Sequence, residues 1–257
     1  VLAGPRQPLL PQEVEVLKKY LAAGGKLLIM VEPRSPGNPT DLLREQGIEV
    51  GEGIVLDFAR NLQGDPLTPA IVQYPTNPIM KAAPGEASGR YITVLPGATM
   101  VRARPDKDAA ILVQTIAESG PERSWLETDQ RIDARSVQFD EGKDVKGPVP
   151  LAVTASRGGA PGAAGPGGSR LVAIGNATFA TNSLLSGAVV PGNRDLLLNS
   201  INWLAEDESL MGVRSKQTKD RSLFLTGTQQ NLLLASSTLF LPLGVLAIGA
   251  YVWWTRR

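Results

Sequence analysis

Apolar positions in the first fifty residues switch between helical and strand-like spacing, and together they outline a βαβ unit. Val1–Gly4 reads as the end of a buried strand. Over Pro11–Ala23 the residues Val14, Leu17 and Leu21 recur at i, i+3 and i+7, one face of a helix. Pro11 suits the first helical position, and Gly24 and Gly25 supply the stop. Lys26–Val31 (KLLIMV) is then a nearly unbroken apolar run of strand length, as expected for a strand buried on both faces of a parallel sheet. Thr40 is placed to cap a short helix that ends at Gln46 and Gly47. Ile48–Val50 and Ile54–Leu56 read as short strands.

The pattern changes between Asp57 and Ser156. Pro and Gly are frequent, and the apolar runs are short: Tyr91–Leu95, Ile111–Ile116 and Leu151–Ala155. This middle predicts strands and loops added to the α/β layer. Arg157–Ser169 (RGGAPGAAGPGGS) is a low-complexity surface loop. It is Gly-rich, yet it lacks the Gly-Lys-Ser/Thr ending of a phosphate loop, and no helix follows. Arg170–Gly175 (RLVAIG) predicts a second buried strand. Asn193–Ala205 predicts a second helix, with Asn193 as N-cap, Asp195 in the first turn, and Leu197, Ile201 and Leu204 as the stripe, widened by Trp203. Ser222–Thr226 reads as a last short strand.

No charge occurs from Ser222 to Thr255. Leu232–Trp254 spans roughly 34 Å as a helix, enough for a bilayer core. Tyr251, Trp253 and Trp254 would form an interfacial belt, followed by Arg256 and Arg257. The expected organisation is therefore an α/β domain over 1–210 with its strand-rich part at 57–156, a connector at 211–231, a transmembrane helix at 232–254, and a tail at 255–257. The charges flanking the apolar run do not decide its orientation. A start at Val1 rather than Met is what is expected of a fragment or a processed product.

Composition narrows the chemistry. Lys plus Arg number 26 and Asp plus Glu 25, so there is no basic excess to bind nucleic acid. The chain has no Cys and no His. Thiolate nucleophiles, disulfides, imidazole ligands and Ser-His-Asp or Cys-His triads are all excluded. No catalytic residue, cofactor site or metal site is assigned from the sequence.

Two predicted strand ends offer polar groups where open α/β sheets bind ligands. Glu32 follows KLLIMV, while Asn176 and Thr178 follow RLVAIG. With Asn182 they make a candidate crevice for a ligand or partner, or else they close turns and cap backbone. The pairs Asp129/Asp133 and Asp140/Glu141 have the spacing of solvated charge, and Asp106-Lys107-Asp108 reads as a turn. Trp125 is either a partly buried anchor or an exposed face for a sugar or peptide. Asn182, Asn193, Asn199 and Asn202 gather around the last helix as caps, buried hydrogen-bonding groups or an amide-lined site.

The order of these motifs resembles the auxiliary components of ABC-type transport systems related to the gliding-motility protein GldG. The matching stretches are Gly4–Pro33, Lys146–Arg157, Ser169–Asn182 and Gly192–Lys216, and then the terminal LPLGVLAIGAYVWWTRR. Within them Gly24, Gly25, Gly175, Phe179, Asn193, Arg194, Asp195, Asn199 and Trp203 form the structural signature. The resemblance implies a fold similar to class I glutamine amidotransferases and a domain outside the inner (cytoplasmic) membrane, tethered by one helix in the lipid. It also implies a permease and an ATPase as partners, with an envelope protein or polysaccharide as a further one. The family commonly has an acidic residue where Asn176 and Thr178 stand, and His near Tyr74–Ile79, where this chain has Asn77.

The expected function is that of a non-enzymatic, membrane-anchored transporter subunit. Its alternatives are a tethered amidotransferase-like or carbohydrate-active hydrolase working through Ser, Thr or a carboxylate, and a sensor that binds a small ligand at the Glu32/Asn176 crevice.

Overall fold

A computed structural model describes residues 1–80, 92–133, 136–158, 168–185, 190–205, 227–236, 238 and 241–256. In chain order the first elements are β1 (Leu2–Ala3), α1 (Pro11–Ala22), β2 (Lys26–Met30), α2 (Thr40–Glu45), β3 (Ile48–Val50) and β4 (Ile54–Asp57). The middle holds β5 (Asn61–Leu62), β6 (Asp65–Ile71), β7 (Thr93–Val94), β8 (Val101–Ala103), β9 (Ile111–Glu118), β10 (Ser124–Glu127) and β11 (Val145–Lys146). Then come β12 (Pro150–Arg157), β13 (Ser169–Ile174), a 3₁₀ turn (Thr178–Ala180), α3 (Asn182–Leu185), α4 (Pro191–Leu204), α5 (Gly227–Ala235) and α6 (Leu241–Thr255).

The central sheet has the order β1-β2-β13-β12-β9. β1, β2 and β13 run parallel, whereas β12 is antiparallel to both β13 and β9. The expected parallel layer is thus corrected to a mixed sheet. The cause is the Gly/Pro-rich 158–168 connection, which joins β12 to β13 as neighbours and so reverses the chain. The strand-rich middle gives β9 and β12 to this sheet, and its other strands join β3 and β4 in three smaller antiparallel sheets, β11-β10-β4, β3-β8 and β5-β6-β7.

Successive strand residues point to opposite faces, and both faces are covered. Leu28, Met30, Val172 and Ile174 pack with Leu196, Trp203 and Leu204 of α4. Leu27, Ile29, Leu171 and Ala173 pack with Leu21 of α1 and Leu42 and Leu43 of α2. Helix α1 ends as its glycines require. Gly24 adopts φ 86°, and the Gly25 N–H returns to the Tyr20 carbonyl at 2.9 Å. Gly175 marks a close approach, since a Cβ there would lie 1.9 Å from the Thr99 carbonyl oxygen.

Helix α4 differs in detail from its expected form. Val190 is its N-cap and Pro191 its first residue. Asn193 lies inside the helix, fully buried. The buried face carries Leu196, Ser200, Trp203 and Leu204, whereas Ile201 is 42% exposed. Run-length alone leaves this ambiguous, because Leu196, Leu197, Leu198, Ile201 and Leu204 cover more than one stripe. Trp203, the largest of these side chains, takes the core position.

The expected transmembrane helix at 232–254 is also corrected. The region contains α5, of nine residues, and α6, of fifteen. Fifteen residues rise about 22 Å, short of the ~30 Å hydrocarbon core. Among the described residues no helix is long and apolar enough to cross a membrane. The low-complexity loop at 159–167, most of the connector and the strand expected at Ser222–Thr226 lie outside the described residues.

Candidate functional site

The strand order brings the carboxyl ends of β2 and β13 side by side, so Glu32, Asn176 and Thr178 do meet. They meet by using one another. Glu32 Oε1 accepts from the Ala177 N–H at 2.8 Å and from Thr178 Oγ1 at 3.5 Å. The Glu32 main chain is held on both sides by the Asn38 amide, through N–H to Oδ1 at 3.1 Å and Nδ2 to carbonyl at 2.6 Å. Asn176 is fully buried, donates to the Pro96 carbonyl and accepts the Phe179 N–H, both at 2.8 Å. Asn182 opens α3 at the surface. A Cβ on Gly4 would meet the Ala177 Cβ at 2.9 Å. This crevice is therefore packed shut.

The remaining signature residues are structural as well. Phe179 is fully buried in the core. Asn193 acts as a substitute strand neighbour: its Oδ1 accepts the Val94 N–H at 2.8 Å, and its Nδ2 donates to the carbonyls of Val94 at 3.0 Å and Phe179 at 3.2 Å. Asn199 donates to the Ile79 carbonyl at 3.1 Å. Arg194 is exposed and Asp195 half-buried. The Trp203 ring carries the Arg170 guanidinium at 4.9 Å, and Arg170 Nη1 caps the C-terminal end of α4 through the Trp203 carbonyl. Asn77 is saturated: its Oδ1 accepts from Ile79 and Met80, and its Nδ2 donates to Pro75 and Ile116. Nearby, burial pushes the Tyr74 phenol up to about 12, while Thr93 Oγ1 lies 2.7 Å from its oxygen. Trp125 is buried, stacked on Phe58 at 5.2 Å and edge-on to Phe139 at 6.3 Å.

The open space lies next to the closed crevice, still beyond the carboxyl end of β2. It is a cleft of about 780 Å³, within the range of ligand sites. Arg34, Ser35 and Asn38 line it from the β2–α2 loop, and Arg44 from α2. Glu49 of β3, Arg104 and Asp106 after β8, and Thr128 and Gln130 after β10 complete the lining.

Arg34 organises this cleft. It has a left-handed backbone with φ 55°, a conformation that side chains seldom adopt. Its guanidinium fans out to the main-chain oxygens of Glu52, Glu127, Asp129 and Gln130. Among the described residues it forms no ion pair with a carboxylate, so its charge is balanced by carbonyl dipoles alone. The other cations are matched. Arg102 grips Glu49 in a two-pronged pair at 2.9 and 3.1 Å, Arg104 grips Asp106, and Arg44 meets Asp41 at 3.2 Å. The Arg104 guanidinium holds the Asp106 carboxyl below its usual value.

The cleft offers donors and acceptors of both signs and has no aromatic wall. Among the described residues no group of three or more acidic side chains is placed to hold a metal. Such a surface suits recognition of a polar polypeptide segment. Sequence reasoning missed Arg34, Arg44, Glu49 and Arg104, because the cleft is assembled from segments nearly a hundred residues apart. The one available signal was the density of Arg at positions 34, 44, 102 and 104.

No protein-family profile matches the chain. A stretch of 60 residues, 22% of this chain, is 43% identical to the intraflagellar transport protein 52 homolog of Mus musculus. That stretch covers only 14% of the mouse protein. The solved N-terminal domain of mouse intraflagellar transport protein 52 matches 86% of this chain and 77% of its own length, with a TM-score of 0.54 at 20% identity. This likeness replaces the expected amidotransferase-type layer as the description of the fold. Neither match is to a GldG-related gliding-motility component or to an ABC auxiliary subunit. The expected permease and ATPase partners, the lipid anchor and the inner-membrane location fall with that resemblance. What this chain resembles in fold is the N-terminal domain of intraflagellar transport protein 52.

Proposed function

We propose that this chain is a non-enzymatic docking domain of a multi-subunit transport assembly, of the intraflagellar kind named for its mouse relative. The observation that carries the reading is the 43% identical stretch, set within a fold that matches over most of the chain. The chemistry supports it. With neither His nor Cys, turnover would need a positioned carboxylate, Ser or Thr. The buried carboxylates serve the backbone instead: Asp57 accepts the N–H groups of Ala59, Arg60 and Gly120, and Glu127 accepts Asp129 N–H and Trp125 Nε1. The polar cleft centred on Arg34 is the docking surface, and its occupant is an extended segment of a partner subunit.

Co-expression with the other subunits of an intraflagellar transport complex tests this. Stoichiometric co-purification is expected, with loss of binding on Arg44→Glu. Absence of binding to any subunit, or hydrolase turnover abolished by Glu32→Gln in a folded protein, overturns the proposal.

A further inference from the structure

Strand β9 ends the central sheet, and the ladder determines which of its groups face outward. The Gly175 N–H donates to the Leu151 carbonyl at 2.8 Å, and Ala152 lies opposite Ile174. Antiparallel bonding alternates residue by residue. Leu151, Val153 and Ala155 therefore bond to β13, while Thr154 and Ser156 bond to β9. Thr154 lies opposite Gln114 and Ser156 opposite Leu112. It follows that Ile111, Val113 and Thr115 turn their main-chain groups to the open edge.

The two ends of that edge are closed. The Ile111 N–H donates to the Asp108 carbonyl at 3.0 Å, and Lys107 Nζ donates to the Ile111 carbonyl at 2.8 Å. At the other end the Asn77 amide donates to the Ile116 carbonyl at 3.3 Å, where the register shifts. Between these caps, no group among the described residues bonds the N–H or C=O of Val113 or Thr115. The strand reads ILVQTIAE, with no Pro and no charge before Glu118, and Leu112–Thr115 are partly exposed. Native sheets normally blunt such an edge with charge, Pro or a cover.

We infer that β9 pairs antiparallel with β9 of a second copy of this chain, about a two-fold axis through Gln114. The spacing is self-complementary. Val113 of one copy faces Thr115 of the other, so the two open residues on each edge satisfy their counterparts. Gln114 meets itself in the closer, non-bonded pair type. The antiparallel two-fold also sets the Glu118 end of each strand beside the Lys107 end of the other, where Lys107 Nζ lies at the Ile111 carbonyl, so charges of opposite sign lie at both ends of the pairing. The caps at Ile111 and Ile116 end the ladder after those residues, which restricts it to a closed dimer.

The full chain, studied by sedimentation at high micromolar concentration, should contain a dimer. Val113→Pro removes an outward N–H, a position where an edge strand tolerates Pro, and should leave a folded monomer. Lys107→Glu should weaken the dimer, and adding Glu118→Lys should restore it. Because the chain has no Cys, Gln114→Cys gives a second readout that does not depend on Val113→Pro folding. It should form a disulfide-linked dimer under mild oxidation, because non-bonded antiparallel pairs place their Cα atoms about 4.5 Å apart. Glu141→Cys, on an exposed loop, should not. A monomeric wild-type chain, a dimer that survives Val113→Pro (as association through α6 would), or equal cross-linking at 114 and 141 overturns the inference. An edge filled by a different protein's strand, with no dimer formed, overturns it as well.

Discussion

Asn193→Ala separates the buried role of this amide from the helix-capping role that its sequence context suggests. The side chain is fully buried and makes three hydrogen bonds to main chain, two with Val94 of β7 and one with Phe179. Truncation leaves one N–H and two carbonyls without their partner. At about 1–3 kcal/mol for each unsatisfied buried group, and with some recovered by water entering the vacated space, the loss should be about 3–5 kcal/mol. A capping residue would lose only about 0.5–2 kcal/mol and would accept Asp or Ser in its place. Asn193→Asp therefore provides the sharper contrast. An ionised carboxylate cannot donate to Val94 and Phe179, so Asp should be at least as damaging as Ala at neutral pH. Urea melts followed by tryptophan fluorescence would measure both variants. A loss below about 1 kcal/mol for Ala, or wild-type stability for Asp, would refute the substitute-strand role.

Other expectations follow from burial and charge. Trp203→Ala should cost about 3–5 kcal/mol, whereas Ile201→Ala, on the exposed side of α4, should stay within about 1 kcal/mol in the same melts. Gly175→Ala should destabilise by at least the ~1–3 kcal/mol of an overpacked core, since its Cβ would collide with the Thr99 carbonyl; a wild-type melting temperature would contradict the close approach. Burial raises the Asp57 carboxyl above its ordinary value of 3.8, against the pull of the Arg60, Gly120 and Ala59 N–H groups. Its contribution is present below pH 3.8 and is lost as pH rises through the raised folded value. Denaturant melts across the acid range should lose this part of the pH dependence in Asp57→Asn, and an unchanged profile would contradict it.

Much of the fold was legible. KLLIMV and RLVAIG are strands because continuous apolar runs of that length need cover on both faces. α1 is marked at both ends, by Pro11 and by Gly24-Gly25. The direction of β12 was not read, although a Gly/Pro-rich connection between two β runs is a hairpin signal. The buried face of α4 was not readable from periodicity, because its leucines outnumber one stripe and only packing selects Trp203. The uncharged run before Arg256 satisfied a hydropathy criterion for a membrane span, but hydropathy does not report helix length, and neither α5 nor α6 is long enough. The meeting of Glu32 with Thr178 was foreseeable from strand ends, but its closure by the Ala177 N–H and Asn38 was not. The cleft was invisible in the sequence, because its walls join only through the β2–α2, β8 and β10 connections.

If the polar cleft docks a partner subunit, as proposed, charge reversal at its arginines should weaken assembly. Biolayer interferometry of the purified chain against a reconstituted intraflagellar transport subcomplex tests it most directly, comparing wild type with the Arg44→Glu/Arg104→Glu double variant. Arg44 is exposed and Arg104 is 25% exposed in its pair with Asp106, so the melting midpoint should fall by no more than about 4 °C while affinity falls by about tenfold or more. Equal affinity for the two proteins, or no binding by either, would show that the cleft is not the docking surface.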